Sequence, residues 1–136
     1  MPNVEAINAS GISGSYSETT AHATKAGGFV FVTGQCASKP GGDFTMALDE
    51  GVEMGGIEEQ TARVLDNIKA ILEEAGSGFE HVVKRNVYIT SETDFAPVYK
   101  VMERYFKTGV ASTGVIAGLL PFSARIEIDV IAAVPD

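Results

Sequence analysis

Near the end of this 136-residue chain, Arg125, Glu127 and Asp129 alternate with Ile126, Ile128 and Val130. Alternate side chains of a strand leave the same face, so this spacing gathers one cation and two carboxylates on one side of a sheet. Two readings fit. The charges form an ordinary solvated face, or Glu127 lies in a cleft where partial desolvation raises its pKa toward that of a working acid or base. Arg125, roughly 7 Å from Glu127 at the α-carbons, either anchors an anion beside the glutamate or pairs with Glu127 or Asp129 as a structural group. A second group of interest is Thr33-Gly34-Gln35-Cys36, which follows the apolar run Phe29-Val30-Phe31-Val32. Cys36 there is either a thiol lining a pocket or a small buried residue.

Other chemistries are absent from the sequence. It contains no dinucleotide or phosphate-loop glycine pattern, no serine-hydrolase elbow and no zinc-protease motif. His22, Cys36 and His81 are scattered singly, so no metal is expected, and no cofactor. The 10 basic and 18 acidic residues leave a net charge of −8, which disfavours nucleic acid as a partner because phosphate neutralisation needs clustered cations. The uncharged stretch 108–124 is broken by Gly109, Gly114, Gly118 and Pro121 and falls short of the roughly 20 apolar residues of a membrane span. A single cysteine rules out an internal disulfide, and with no leader pattern the expected compartment is the reducing cytoplasm. With 45% hydrophobic and 21% charged residues, the composition is that of one globular domain over 1–136.

The elements that must position these groups follow from periodicity. Residues 1–25 are small and polar and are expected to be a loosely structured N-terminal segment with room for one short strand. Phe29 to Thr33 read as a strand, with 44–48 expected to pair back onto it after a glycine-rich turn. Over 57–75 the period becomes helical, with Ile57, Thr61, Leu65, Ile68, Leu72 and Ala75 on one stripe and Gly76 as terminator. Residues 82–90 return to strand character. A second helix is expected to open at Ser91 with Asp94 in a variant capping box, to take Pro97 in its first turn, and to bury Phe95, Val98, Met102, Tyr105 and Phe106 before Gly109. Two strands near 114–119 and 124–134, joined at Leu120-Pro121, complete the chain. This order implies an α+β fold, a mixed sheet with both helices on one face. The opposite face, partly apolar, is expected to be covered by another subunit.

Taken together, the blocks resemble the Rid/YjgF family of reactive-intermediate deaminases. The resemblance rests on Ala26-Gly27, Phe29-Val30-Phe31-Val32-Thr33-Gly34-Gln35 and the helix from Gln60-Thr61 through Val64-Leu65-Asp66-Asn67-Ile68 to Leu72 and Ala75-Gly76. Val82-Val83-Lys84, Val87-Tyr88, Asp94-Phe95, Phe106, Leu120-Pro121, Ile126-Glu127-Ile128 and Ile131-Ala132 continue it. It extends over about 26–134 and implies a chorismate-mutase-like fold and a homotrimer with a pocket at each subunit interface. It also implies cofactor-free hydrolysis of enamine and imine intermediates to a 2-keto acid and ammonia. In that scheme an arginine anchors the substrate carboxylate and a glutamate positions the attacking water.

By the family's spacing the glutamate is Glu127, whereas the arginine position is Ser112 and an asparagine of the second helix is Tyr99. The expected substrate is therefore a small enamine or imine other than the usual 2-imino acids, since a hydroxyl cannot replace a bidentate guanidinium. Glu127 is the expected acid or base, and Thr33, Gly34, Gln35, Tyr99, Ser112, Thr113, Gly114 and Arg125 are the expected binding residues. The alternative is a non-catalytic trimer that binds a small metabolite in the same clefts.

Overall fold

The computed structural model describes residues 3–15, 17–41 and 55–136. Six strands form one sheet: β1 (Glu5–Ile7), β2 (Ala23–Ala26), β3 (Phe29–Val32), β4 (Val82–Ile89), β5 (Ala111–Ile116) and β6 (Ile126–Ala133), in the spatial order β1-β2-β3-β6-β4-β5. All neighbours are antiparallel except β4 and β5. Helix α1 (Ile57–Glu74) lies between β3 and β4 in sequence, and α2 (Phe95–Met102) makes the crossover between the parallel pair. The α+β architecture with two helices on one face is as the periodicity implied.

The register explains which face is which. Ile126, Ile128, Val130 and Ala132 of β6 are buried and alternate with half-buried Glu127, Asp129, Ile131 and Ala133. The buried set meets Leu65, Ile68 and Leu72 of α1 and Val98, Val101 and Met102 of α2 in one core. Each such fully buried aliphatic side chain contributes about 1.5–3 kcal/mol. Gly76, at φ 80°, then reverses the chain after α1 while Ser77 N–H donates to Leu72 O at 2.8 Å. Only a glycine takes that left-handed conformation without cost, so its position as terminator is physical.

Three local expectations are corrected. Residues 1–25 contain β1 and the start of β2, because His22 ties this segment down: its Nδ1 accepts from Ala9 N–H and its Nε2 donates to Ser13 O. The segment 44–48 and the methionines Met46 and Met54 lie outside the described residues. Ser91 makes no side-chain cap; its hydroxyl bonds that of Thr93, and a 3-10 turn (Glu92–Asp94) precedes α2. Phe95 is 41% exposed rather than buried, stacked on Tyr99 at 4.5 Å.

The sheet's other face carries Phe29 and Phe31 of β3, Lys84, Asn86 and Tyr88 of β4, Thr113 and Val115 of β5, and the half-buried residues of β6. Phe29, Phe31 and Val115 are 40%, 45% and 40% exposed. Every residue of the edge strand β5 is exposed.

Candidate functional site

Glu127 projects from the open face of β6 into a cavity of about 330 Å³ at the end of β3. Backbone bonds between Gln35 and Ile128, at 2.9 and 3.1 Å, extend the β3–β6 pairing and bring residues 33–36 beside the glutamate. Gly34 lets the carboxylate approach the backbone there. A Cβ at that position would lie 2.5 Å from Glu127 Oε2, closer than any side chain tolerates. On the other carboxylate oxygen, Cys36 Sγ donates to Oε1 at 3.6 Å.

These neighbours set the electrostatics. Burial, the largest cause, and the nearby Asp129 push the Glu127 carboxyl up, while the thiol hydrogen bond opposes them. Burial and the adjacent glutamate push the Cys36 thiol up to about 12. Cys36 thus satisfies both readings of the sequence: it is 4% exposed and lines the cavity as a protonated donor, unsuited to nucleophilic work. His22 also lines the cavity. Both of its ring nitrogens are spent on backbone groups, so it offers the cavity no free base. Thr33 Oγ1 donates to Ala21 O at 2.6 Å and Gln35 Nε2 to Thr33 O at 3.1 Å, which stiffens the wall. Pro121 and Phe122 close the far side, Phe122 at φ 61° and Ser123 at 54°.

Glu127, Thr33, Gly34 and Gln35 are therefore brought together. The other expected binding residues are not with them. Ser112 and Gly114 point to the helix face of β5, where Gly114 leaves room for the Phe95 ring and Tyr99 OH lies 3.3 Å from Ser112 Oγ. Thr113 is on the open face, but its Oγ1 accepts from Lys84 Nζ at 2.6 Å, two strands from β6. Arg125, just before β6, turns to the helix side: its Nη2 donates to Asp94 Oδ1 at 2.9 Å, and its backbone N–H to Gln60 Oε1 at 3.4 Å. It pairs with neither Glu127 nor Asp129. Asp129 instead accepts from Asn86 Nδ2 at 2.8 Å.

Sequence reasoning missed one cation. Arg85 occupies the β4 position whose neighbours on the same face are Val87 and Ile89, and its Nε donates to Ser112 Oγ at 3.0 Å. The signal was present: a charge on the apolar period of a strand.

A family model described as endoribonuclease L-PSP matches residues 7–134. The chain belongs to that family, the Rid/YjgF family. A RutC family protein of Pyrococcus abyssi is 41% identical over 112 residues, 81% of this chain and 82% of that one. Among solved structures, YyfA of Yersinia pestis, a protein of unknown function of the conserved Rid family, superposes with a TM-score of 0.87 at 28% identity. That superposition covers 97% of this chain and 100% of that one. TdcF of Escherichia coli, solved with bound serine, gives 0.82 at 25% identity over 95% and 98%. The Rid/YjgF fold therefore spans nearly the whole chain, including the N-terminal strands that preceded the sequence resemblance. No helix among the described residues is long and apolar enough to cross a membrane.

Proposed function

We propose that the chain is a cofactor-free hydrolase of small reactive enamines or imines, working as a homotrimer in a reducing compartment such as the cytoplasm. The observation that carries this reading is Glu127: a half-buried carboxylate with a raised pKa, facing a cavity large enough for a small metabolite. With Oε1 held by the Cys36 thiol, Oε2 is the oxygen assigned to proton transfer. It takes a proton from water as the water oxygen bonds to the imine carbon. That proton passes to nitrogen to give a neutral carbinolamine; Oε2 then takes the hydroxyl proton and hands it to nitrogen as the carbon–nitrogen bond breaks, leaving a carbonyl compound and ammonia. An enamine first takes a proton at carbon and gives one up from nitrogen to become the imine. Thr33, Gly34 and Gln35 form the wall against which the substrate rests. Exposed Phe29, Phe31 and Val115 support the trimer, as apolar surface that a second and third copy would cover.

Wild-type protein should release ammonia from an imine generated in situ, and Glu127→Gln should not. Light scattering should give three times 14.3 kDa; a stable monomer would remove the interfacial site. A metabolite-binding trimer without turnover is favoured by one observation, the serine bound to TdcF; ligand binding with no ammonia release by the wild type would establish it. RNA cleavage, the activity in the family model's description, is opposed by the net charge of −8, and incubation with RNA should leave it intact.

A further inference from the structure

A glutamate side chain turns easily about its last carbon–carbon bond, so either oxygen can face a substrate unless one is held. At Glu127 one is held. Cys36 Sγ donates to Oε1 at 3.6 Å from a side chain only 4% exposed, packed beside Leu120 and Ala124. The backbone that carries the thiol is fixed on both sides. Gln35 and Ile128 exchange two backbone hydrogen bonds, and the amide nitrogen of buried Asn67 lies 3.0 Å from Ser38 O and 3.4 Å from Cys36 O. At the other oxygen, the Gly34 backbone comes close enough to Oε2 that a Cβ would collide with it. Other titratable groups reach Glu127 from three directions. Tyr88 stands opposite it on β4, Asp129 follows it along β6, and His22 lines the same cavity from the N-terminal segment. Asp129 disfavours the charged carboxylate. Both ring nitrogens of His22 are spent on backbone groups, and the Tyr88 hydroxyl is pushed up by Asp129, by burial and by Glu127. The Cys36 thiol is the neighbour that favours the charged form.

We propose that Cys36 is a positioning residue for the reaction: its thiol holds Oε1, so that Oε2 faces the cavity as the working base. The proposal rests on the hydrolase reading above and deepens it, by naming what sets the pH range of that same site. Burial and the adjacent glutamate push the thiol up to about 12, so it keeps its proton at neutral pH and remains a donor. A sulfur donor is also weak. It orients the carboxylate and offsets part of its burial without removing the basicity that proton transfer needs. An apolar residue in its place would leave Oε1 unheld and a larger share of the carboxyl protonated at neutral pH.

The test compares wild type with Cys36→Ala and Cys36→Val, which lack the donor, and Cys36→Ser, which keeps one. Two readouts are taken on the full chain: the titration of the Glu127 carboxyl by NMR of carbon-13-labelled glutamate, assigned with Glu127→Gln, and the pH profile of kcat on an imine generated in situ. In the alanine and valine variants both midpoints should move about 0.5–1 pH unit toward alkaline pH. Plateau kcat should fall about 3- to 10-fold with KM within about twofold, since one held oxygen is lost and no substrate contact is. The serine variant should stay within about 0.3 pH unit of wild type. Valine refills the space that alanine empties, so a packing defect would separate those two variants, whereas loss of the donor makes them alike. Unmoved midpoints in both apolar variants overturn the proposal, as does a serine variant that behaves like alanine. The two readings fail separately. A Cys36-dependent titration without wild-type turnover sinks the hydrolase and leaves the positioning, while wild-type turnover and pH profile in both apolar variants sink the positioning and leave the hydrolase.

Discussion

The two faces of the central sheet treat their charged groups in opposite ways. On the open face burial and the nearby Asp129 disfavour the charged form of Glu127, and the hydrogen bond from the Cys36 thiol only partly opposes them. On the helix face the cations are settled: Arg125 in an ion pair with Asp94, Arg85 against rings and a hydroxyl. The first is an environment that makes proton transfer cheap, and the second one that fixes a charge in place. A reactive acid and a settled cation need different surroundings, and a single sheet can supply both only on its two sides.

That contrast can be broken most directly at the glutamate. Glu127→Gln should reduce turnover by about 10²- to 10⁴-fold while leaving ligand affinity within a few-fold, as read from kcat and from calorimetry. Equal loss of both would make Glu127 a binding group only. Gly34→Ala comes next. Its Cβ must displace the carboxylate, and a shift near 1 Å should cost about 100-fold in kcat with little change in melting temperature. On the helix face the effects should be on stability instead. Arg125→Met leaves buried Asp94 without its partner, and should destabilise by about 1–3 kcal/mol after allowance for the guanidinium's exposure, with ligand affinity unchanged. Loss of ligand binding in that variant would return Arg125 to the site.

The smallest effect is a pH dependence. Because the folded pKa of Glu127 is raised above its ordinary value, folding favours the protonated form. The associated stability is present at low pH and is lost as pH rises through the folded pKa. Glu127→Gln should therefore raise the melting temperature by about 1–3 °C at neutral pH, screened as the group is, and the gain should vanish in acid. A gain that persists unchanged at low pH would trace to packing rather than to charge.

Much of this was legible in the sequence, for identifiable reasons. The stripe of α1 and the alternation of β6 are self-sufficient patterns, so the helix, the last strand and the face of Glu127 could be read directly. Residues 33–36 were found because they directly follow an apolar strand. The strands β1 and β2 were not, since they are three and four residues long and mostly exposed or half-buried; their neighbours define them. That Ser112, Gly114 and Tyr99 lie apart from Glu127 within one chain was not legible for a related reason. Which face each β5 residue takes depends on its register with β4, and no β5 residue is buried to reveal it. Arg125 was assigned by alternation one residue before the strand begins, where Asp94 captures it.

Asn67 sits fully buried on α1, where its Nδ2 donates to Ser38 O at 3.0 Å and Ser38 Oγ at 3.2 Å and lies 3.4 Å from Cys36 O. The chain carrying the thiol is thereby hung from the most buried helix of the domain. Amide protons near it, such as that of Gln35, should exchange with solvent only when the whole domain opens. A cavity wall of that kind does not have to be ordered by its guest, so association should proceed without a large entropic penalty and with little change in the shape of the chain.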